Sequence, residues 1–213
     1  MKGDHPLSMN HLRKLSVLAG TIGPLLFGSV LLALTIVEYD FMRSLGWEVF
    51  SLTNTDWPSG LALGPYGYVM TAAFLVNGLM VVLFAIGLVQ TLPATTTSRA
   101  ATSLLLLAGL AMIGLASTTD PTIRTTPATL HGRIHDLSFA AVGLTLFPSM
   151  LLFGWVFRQL PGWRSLSTYT WLTVALAVPT FALKGATFYA FLVAVLVWAA
   201  TVALRSKKMD LPG

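Results

Sequence analysis

Residues 66–89 read YGYVMTAAFLVNGLMVVLFAIGLV, a run without a single Asp, Glu, Lys or Arg. A helix of about 20 apolar residues crosses a hydrocarbon core of about 30 Å, so this stretch predicts a transmembrane helix. Its one amide, Asn77, falls in mid-span. Leaving an amide unsatisfied in hydrocarbon is costly, so a hydrogen bond to another helix is expected there. Working outward, five more blocks repeat the pattern: Leu15–Val37, Ala100–Ser117, Leu137–Phe157, Leu166–Leu183 and Thr187–Leu204. The last two are separated only by Lys184, Gly185 and Ala186. Together they are nearly twice the length of one span, and Lys184 with Gly185 supplies a polar turn, so they read as two helices. The expectation is an all-α, polytopic membrane bundle of six transmembrane helices forming one domain over residues 1–213.

Composition agrees. Charged residues make up 10% of the chain and hydrophobic ones 55%, against about 25% charged in soluble domains. Too few charges remain to cover a soluble surface. The net charge of +5 comes from 13 basic residues scattered in ones and twos between apolar blocks. No continuous phosphate-binding stripe results, and nucleic acid is not an expected partner. The absence of cysteine excludes disulfides, thiolate metal sites and cysteine nucleophiles. The first apolar block is longer than a signal-peptide core of roughly 7–15 residues and is expected to stay as a membrane helix.

Orientation follows the Lys and Arg, which cytoplasmic loops keep in excess. An N-terminus inside puts Lys2, Arg13, Lys14, Arg99, Arg158, Arg164, Arg205, Lys207 and Lys208 on the cytoplasmic face and leaves Arg43, Arg124, Arg133 and Lys184 outside. The expectation is therefore a multi-pass cell-membrane protein with both termini cytoplasmic. Glu38, Asp40, Glu48, Asp56, Asp120 and Asp136 then all lie outside. The two long connections, Glu38–Pro65 and Thr118–Asp136, are outer ones as well. The first is rich in aromatic and aliphatic residues, among them Phe41, Trp47, Phe50 and Trp57, and is expected to pack on the bundle or lie in the interface, a candidate lid. Pro24, Pro148 and Pro179 fall inside apolar spans, where proline removes a backbone donor and kinks a helix. Gly20, Gly23, Gly28, Gly78, Gly87, Gly109 and Gly114 predict close helix contacts.

The densest polar cluster is Thr119-Asp120-Pro121 followed by Thr129-Leu130-His131-Gly132-Arg133-Ile134-His135-Asp136. If the fourth helix already runs from Leu130, His131 and His135 stand at i and i+4 on one face, the spacing from which two imidazoles reach one metal. Zinc would need a further ligand, and Asp120 is the first candidate, with Asp56, Glu38 or Asp136 behind it. The same three residues, Asp120, His131 and His135, are candidates for acid/base work. The plainer alternative makes the histidines helix-start residues bonded to the loop, with Asp136 favoured by the positive helix end. Glu38 and Asp120 sit at the C-terminal ends of outward helices, where the macrodipole disfavours a carboxylate, so each calls for a compensating partner. An Asp120–Arg133 pair is one option. Glu38, Asp56, Trp57, Arg133 and Asp136 complete the expected outer-face pocket. No cofactor is required by the sequence. A divalent metal such as zinc is admitted, whereas haem is disfavoured, because two histidines on one helix cannot take opposite sides of the iron.

The stretch Trp57-Pro58-Ser59-Gly60-Leu61-Ala62-Leu63-Gly64-Pro65-Tyr66-Gly67-Tyr68, continuing to Phe74 and Gly78, resembles domain of unknown function family 998. So do Gly23-Pro24-Leu25-Leu26-Phe27, Thr119-Asp120-Pro121 and His131-Gly132-Arg133-Ile134-His135-Asp136. The resemblance spans most of the chain through the fourth helix. Between the last two helices, where the family often shows a Gln-Arg pair, this chain has Lys184-Gly185-Ala186. The resemblance implies a multi-helix membrane protein and marks Asp120, His131, His135 and Asp136 as motif positions. It implies no activity or substrate.

Two functions compete. In one, the outer Asp/His pocket binds or processes a lipid-like or small amphiphilic ligand. In the other, the chain is a non-enzymatic carrier, receptor or assembly subunit. The bilayer is the expected partner in both, and the sequence leaves the oligomeric state open.

Overall fold

A computed structural model of the chain describes residues 6–47, 58–121, 127–182 and 186–207. Among these the elements in chain order are α1 (Pro6–Val37), a short α2 (Tyr39–Ser44), a 3-10 helix (Pro58–Leu63), α3 (Gly67–Thr91), α4 (Thr96–Gly114), α5 (Leu130–Gln159), α6 (Arg164–Ala182) and α7 (Ala186–Lys207), with no strand. The helices start where local chemistry says they should. Thr95 and Thr129 cap α4 and α5, each hydroxyl accepting the backbone N–H three residues on, from Ser98 at 3.1 Å and Gly132 at 3.0 Å, which satisfies one orphan donor of the first turn. Pro161 and Gly162 turn the chain between α5 and α6. Trp163 N donates to Leu160 O at 3.1 Å, and Gly162 has φ of 73°, a left-handed conformation that favours glycine.

The six long helices form a closed ring. Each packs on its neighbour in sequence, and α7 returns to pack on α1. The ring is tight because glycines line the seams. A Cβ on Gly78 of α3 would lie 2.8 Å from Gly109 O of α4, and one on Gly20 of α1 would lie 2.7 Å from the Ala203 Cβ of α7. Gly87 faces Ser16, whose hydroxyl donates to Phe84 O at 3.1 Å. The expected glycine contacts are thus real helix-packing positions, where the missing Cβ lets backbones approach.

The outer surface of the ring is apolar. Large hydrophobic side chains stand exposed on every long helix, including Leu32 on α1, Leu79 on α3, Leu110 on α4, Leu144 on α5 (75% exposed), Leu172 on α6 (64%) and Val193 on α7. Water-soluble monomers rarely carry contiguous apolar surface on this scale. Five helices, all the long ones except α6, are long and apolar enough to cross a membrane by length and composition. α6 is less apolar because its first half carries Ser165, Ser167, Thr168, Thr170 and Thr173.

Charge divides between the two ends. Arg13 Nη2 donates to Ser206 O at 3.1 Å and Arg205 Nη2 to Gly162 O at 2.5 Å, so the start of α1, the end of α7 and the α5–α6 turn share one end. Lys14, Arg158, Arg164 and Lys207 belong to it. The opposite end holds Glu38, Asp40, Asp120 and Asp136. α6 and α7 are separate helices packed on each other, so a single long final span is ruled out. Lys184 lies outside the described residues, as do Glu48, Phe50, Asp56, Trp57 and Arg124.

Candidate functional site

At the acidic end, α5 does run from Leu130 and carries both histidines. The preceding connection is fastened by Asp120. Its Oδ2 accepts the Thr129 backbone N–H at 2.9 Å and its Oδ1 the Thr129 hydroxyl at 2.7 Å. Gly132, buried one turn later, lies directly under the carboxylate, so that a Cβ there would overlap it. α4 ends at Gly114, so Asp120 lies beyond its last turn rather than at its negative end as the sequence suggested, and its carboxylate is placed over the positive N-terminal end of α5. Arg133 is exposed.

Glu38 follows a similar plan at the other connection of the acidic end. Its carboxylate is 3% exposed, and Oε1 accepts the Tyr66 backbone N–H at 2.6 Å, at the N-terminal end of α3. Gly64 leaves room for the carboxylate, since a Cβ there would overlap it. The partner is a backbone donor at the start of the next helix. The described parts of the first outer connection pack inward, as expected of an apolar loop: Met42, Trp47 and Leu61 are buried, and Trp47 contacts the Tyr39 and Tyr189 rings.

The two histidines of α5 part company. His131 is exposed, whereas His135 is 4% exposed. His135 Nδ1 lies 3.0 Å from Leu115 O and 2.8 Å from Ser117 O, carbonyls left over where α4 ends. Two carbonyl oxygens only accept, so Nδ1 carries a hydrogen, and the neutral tautomer with that hydrogen has its acceptor lone pair on Nε2. Phe74 meets the ring edge-on at 6.2 Å. Asp120, by fixing the first turn of α5, sets the register in which His135 turns inward.

His135 faces a central cavity of about 80 Å³ in the acidic half of the ring. All six long helices contribute to its walls, and Pro58 and Ser59 of the 3-10 helix close it from the loop side. The lining is mainly aromatic and aliphatic. Phe139 and Phe181 stack at 4.6 Å, and Phe188 and Phe191 pack against Phe181 at 6.0 and 5.2 Å. The polar side chains among the described lining residues are Ser59, Asn77 and His135. Asn77 is 3% exposed. Its Nδ2 donates to the Met112 sulfur at 2.8 Å, while Oδ1 is buried without a hydrogen-bond partner. Half of the expected interhelical bond is therefore made, and the other half of the amide is left over.

Among the described residues no group of three or more His, Asp or Glu side chains is placed to share a metal. Arg133 and Asp136 are exposed. His135 stands out in the sequence, whereas the phenylalanines that line the same cavity do not. Phe139, Phe188 and Phe191 recur at helical spacing, a pattern indistinguishable from ordinary core packing until α5 and α7 are seen to face one cavity.

A ring of helices with an apolar exterior and charge confined to its two ends defines a polytopic helical membrane protein. Residues 26–206 match the model of the family described as Protein of unknown function (DUF998), and the chain belongs to that family. No curated protein and no solved structure matches it.

Proposed function

We propose that this is a six-span protein of the cell membrane, a single domain with both termini cytoplasmic, that binds a lipid-like or small amphiphilic molecule in the outward half of its helix ring. The observation that carries the reading is the enclosed cavity itself, walled by phenylalanines and touched by two buried polar side chains, Asn77 and His135. The phenylalanine wall suits an apolar chain. At about 80 Å³ the cavity is below the roughly 300–1,000 Å³ of a drug-sized site, so it takes the donor-bearing part of an amphiphile rather than a whole one. Asp120 acts in this reading as a positioning residue for α5, and His135 as the acceptor. His135 is the one titratable side chain among the described lining residues, which favours binding over acid/base chemistry by a pair of groups.

Support for a sixth crossing comes from α6 itself. Its hydroxyls are satisfied by helix carbonyls, Thr170 to Leu166 O at 2.7 Å, Thr173 to Tyr169 O at 2.9 Å and Ser167 to Gly154 O at 2.6 Å, so they do not need water. At 19 residues its length is about 28 Å, close to the hydrocarbon thickness.

Photocrosslinking tests the binding reading. A diazirine-bearing long-chain alcohol, added to the purified protein in detergent, is expected to label α5 and α7 around Phe139 and Phe191. Val142→Phe, which fills the cavity, should abolish that labelling. Labelling confined to outward-facing residues and unchanged by Val142→Phe would refute the proposal.

A further inference from the structure

A second depression lies at the opposite end of the ring, on the outside, between α1 and α7. It has a volume of about 620 Å³ and is lined by Arg13, Lys14, Val17, Leu18, Thr21, Ile22, Leu204 and Lys207. We infer that this groove is a binding site for one anionic phospholipid, with its phosphate at the Arg13, Lys14 and Lys207 rim and an acyl chain lying along Leu18, Ile22 and Leu204.

The order of residues along α1 makes the case. Lys14, Leu18 and Ile22 follow one another at i, i+4 and i+8, so they form one stripe down the helix, a cation first and then two aliphatic side chains over about 12 Å. Leu18 is 53%, Ile22 44% and Leu204 51% exposed, which leaves the apolar wall open to the surroundings. The hydroxyl of Thr21 donates to Val17 O at 2.8 Å, so no unmet polar group interrupts it. A groove of this kind on the lipid-facing side of a membrane helix is filled by lipid in any case. What remains to be decided is the headgroup. Lys14 and Lys207, with no acid among the described lining residues, select a net negative one, because each Lys or Arg near the surface favours anionic lipid. Arg13 is held by its bond to Ser206 O, so its charge is fixed at the rim between the two helices. The same basic residues would accumulate on this side simply to orient the chain. Orientation does not require an apolar groove beneath them.

Native mass spectrometry of delipidated protein, titrated with dioleoylphosphatidylglycerol or dioleoylphosphatidylcholine, tests the inference. Phosphatidylglycerol should bind as a saturable single adduct and phosphatidylcholine far more weakly. The double variant Lys14→Gln/Lys207→Gln should weaken phosphatidylglycerol about thirty-fold, from about five-fold per lysine. Leu204→Trp, which keeps every charge but fills the groove at an exposed position, should weaken it as well. Equal binding of the two lipids, or unchanged phosphatidylglycerol binding in both variants, would overturn the inference. So would displacement of phosphatidylglycerol by millimolar inorganic phosphate, which would mark a simple anion site without use of the chain.

Discussion

Replacing Gly132 by alanine perturbs the point where Asp120 fastens the outer end of the bundle, and the structure sets both the size of the effect and its cure. The new Cβ would overlap the Asp120 carboxylate, so the carboxylate must leave. That breaks its bonds to the Thr129 N–H and hydroxyl, at 2.9 and 2.7 Å. Both bonds are on the exposed side, so each is worth the lower end of the range for charged acceptors, about 1 kcal/mol. Overpacking adds about 1–3 kcal/mol, and the better helix propensity of alanine returns up to about 1 kcal/mol. Gly132→Ala should therefore cost about 2–5 kcal/mol. Asp120→Ala alone should cost at least about 2 kcal/mol through the same bonds. In the Asp120→Ala background the obstacle is gone, and adding Gly132→Ala should be neutral or stabilising by up to about 1 kcal/mol. The coupling, about 2–6 kcal/mol, is at the upper end or beyond what contacting residues usually show. Unfolding midpoints in detergent, followed by tryptophan fluorescence, provide the assay. A Gly132→Ala cost of the same size in both backgrounds would refute the placement of Asp120 over this glycine.

Two further substitutions probe the scaffold. Gly78→Ala puts a Cβ 2.8 Å from the Gly109 carbonyl, and a backbone atom cannot rotate aside, so a loss of about 1–3 kcal/mol is expected in the same unfolding assay. Glu38→Gln keeps an acceptor for the Tyr66 N–H and should unfold close to wild type, whereas Glu38→Ala strands that donor and should lower stability by about 1–3 kcal/mol.

Most of the helix architecture was legible in the chain because lipid imposes a simple rule: uninterrupted apolar length. Residues 66–89 obeyed it, and α3 runs over Gly67–Thr91. α6 was the harder case, since Ser and Thr lower its hydropathy while their hydroxyls bond back to helix carbonyls, a satisfaction that no composition reveals. The glycines were read correctly as contacts, but which glycine meets which helix required the ring. Glu38 and Asp120 were correctly identified as acids in need of partners. Each accepts a backbone N–H at the start of the following helix, from Tyr66 and from Thr129, a class of partner that residue types do not reveal. Glu38 directly follows α1, where a carboxylate opposes the helix dipole and suits the start of the next helix, whereas Asp120 lies beyond the end of α4. The i, i+4 spacing of His131 and His135 was right, yet the same helix face dips from the surface inward over one turn, so one imidazole is exposed and the other is buried.

The central claim is a six-span ring with its basic end in the cytoplasm, and cysteine accessibility tests it most directly. The chain has no cysteine, so every thiol introduced is the only one present. Single variants Arg99→Cys, Arg164→Cys and Lys207→Cys should resist a membrane-impermeant maleimide in intact cells and react after permeabilisation, whereas Arg43→Cys, Asp136→Cys and Thr187→Cys should react from outside. Arg164 and Thr187 are the decisive pair, because they bracket α6. Labelling of both from the same side would contradict the sixth crossing and, with it, the account of the ring in the membrane.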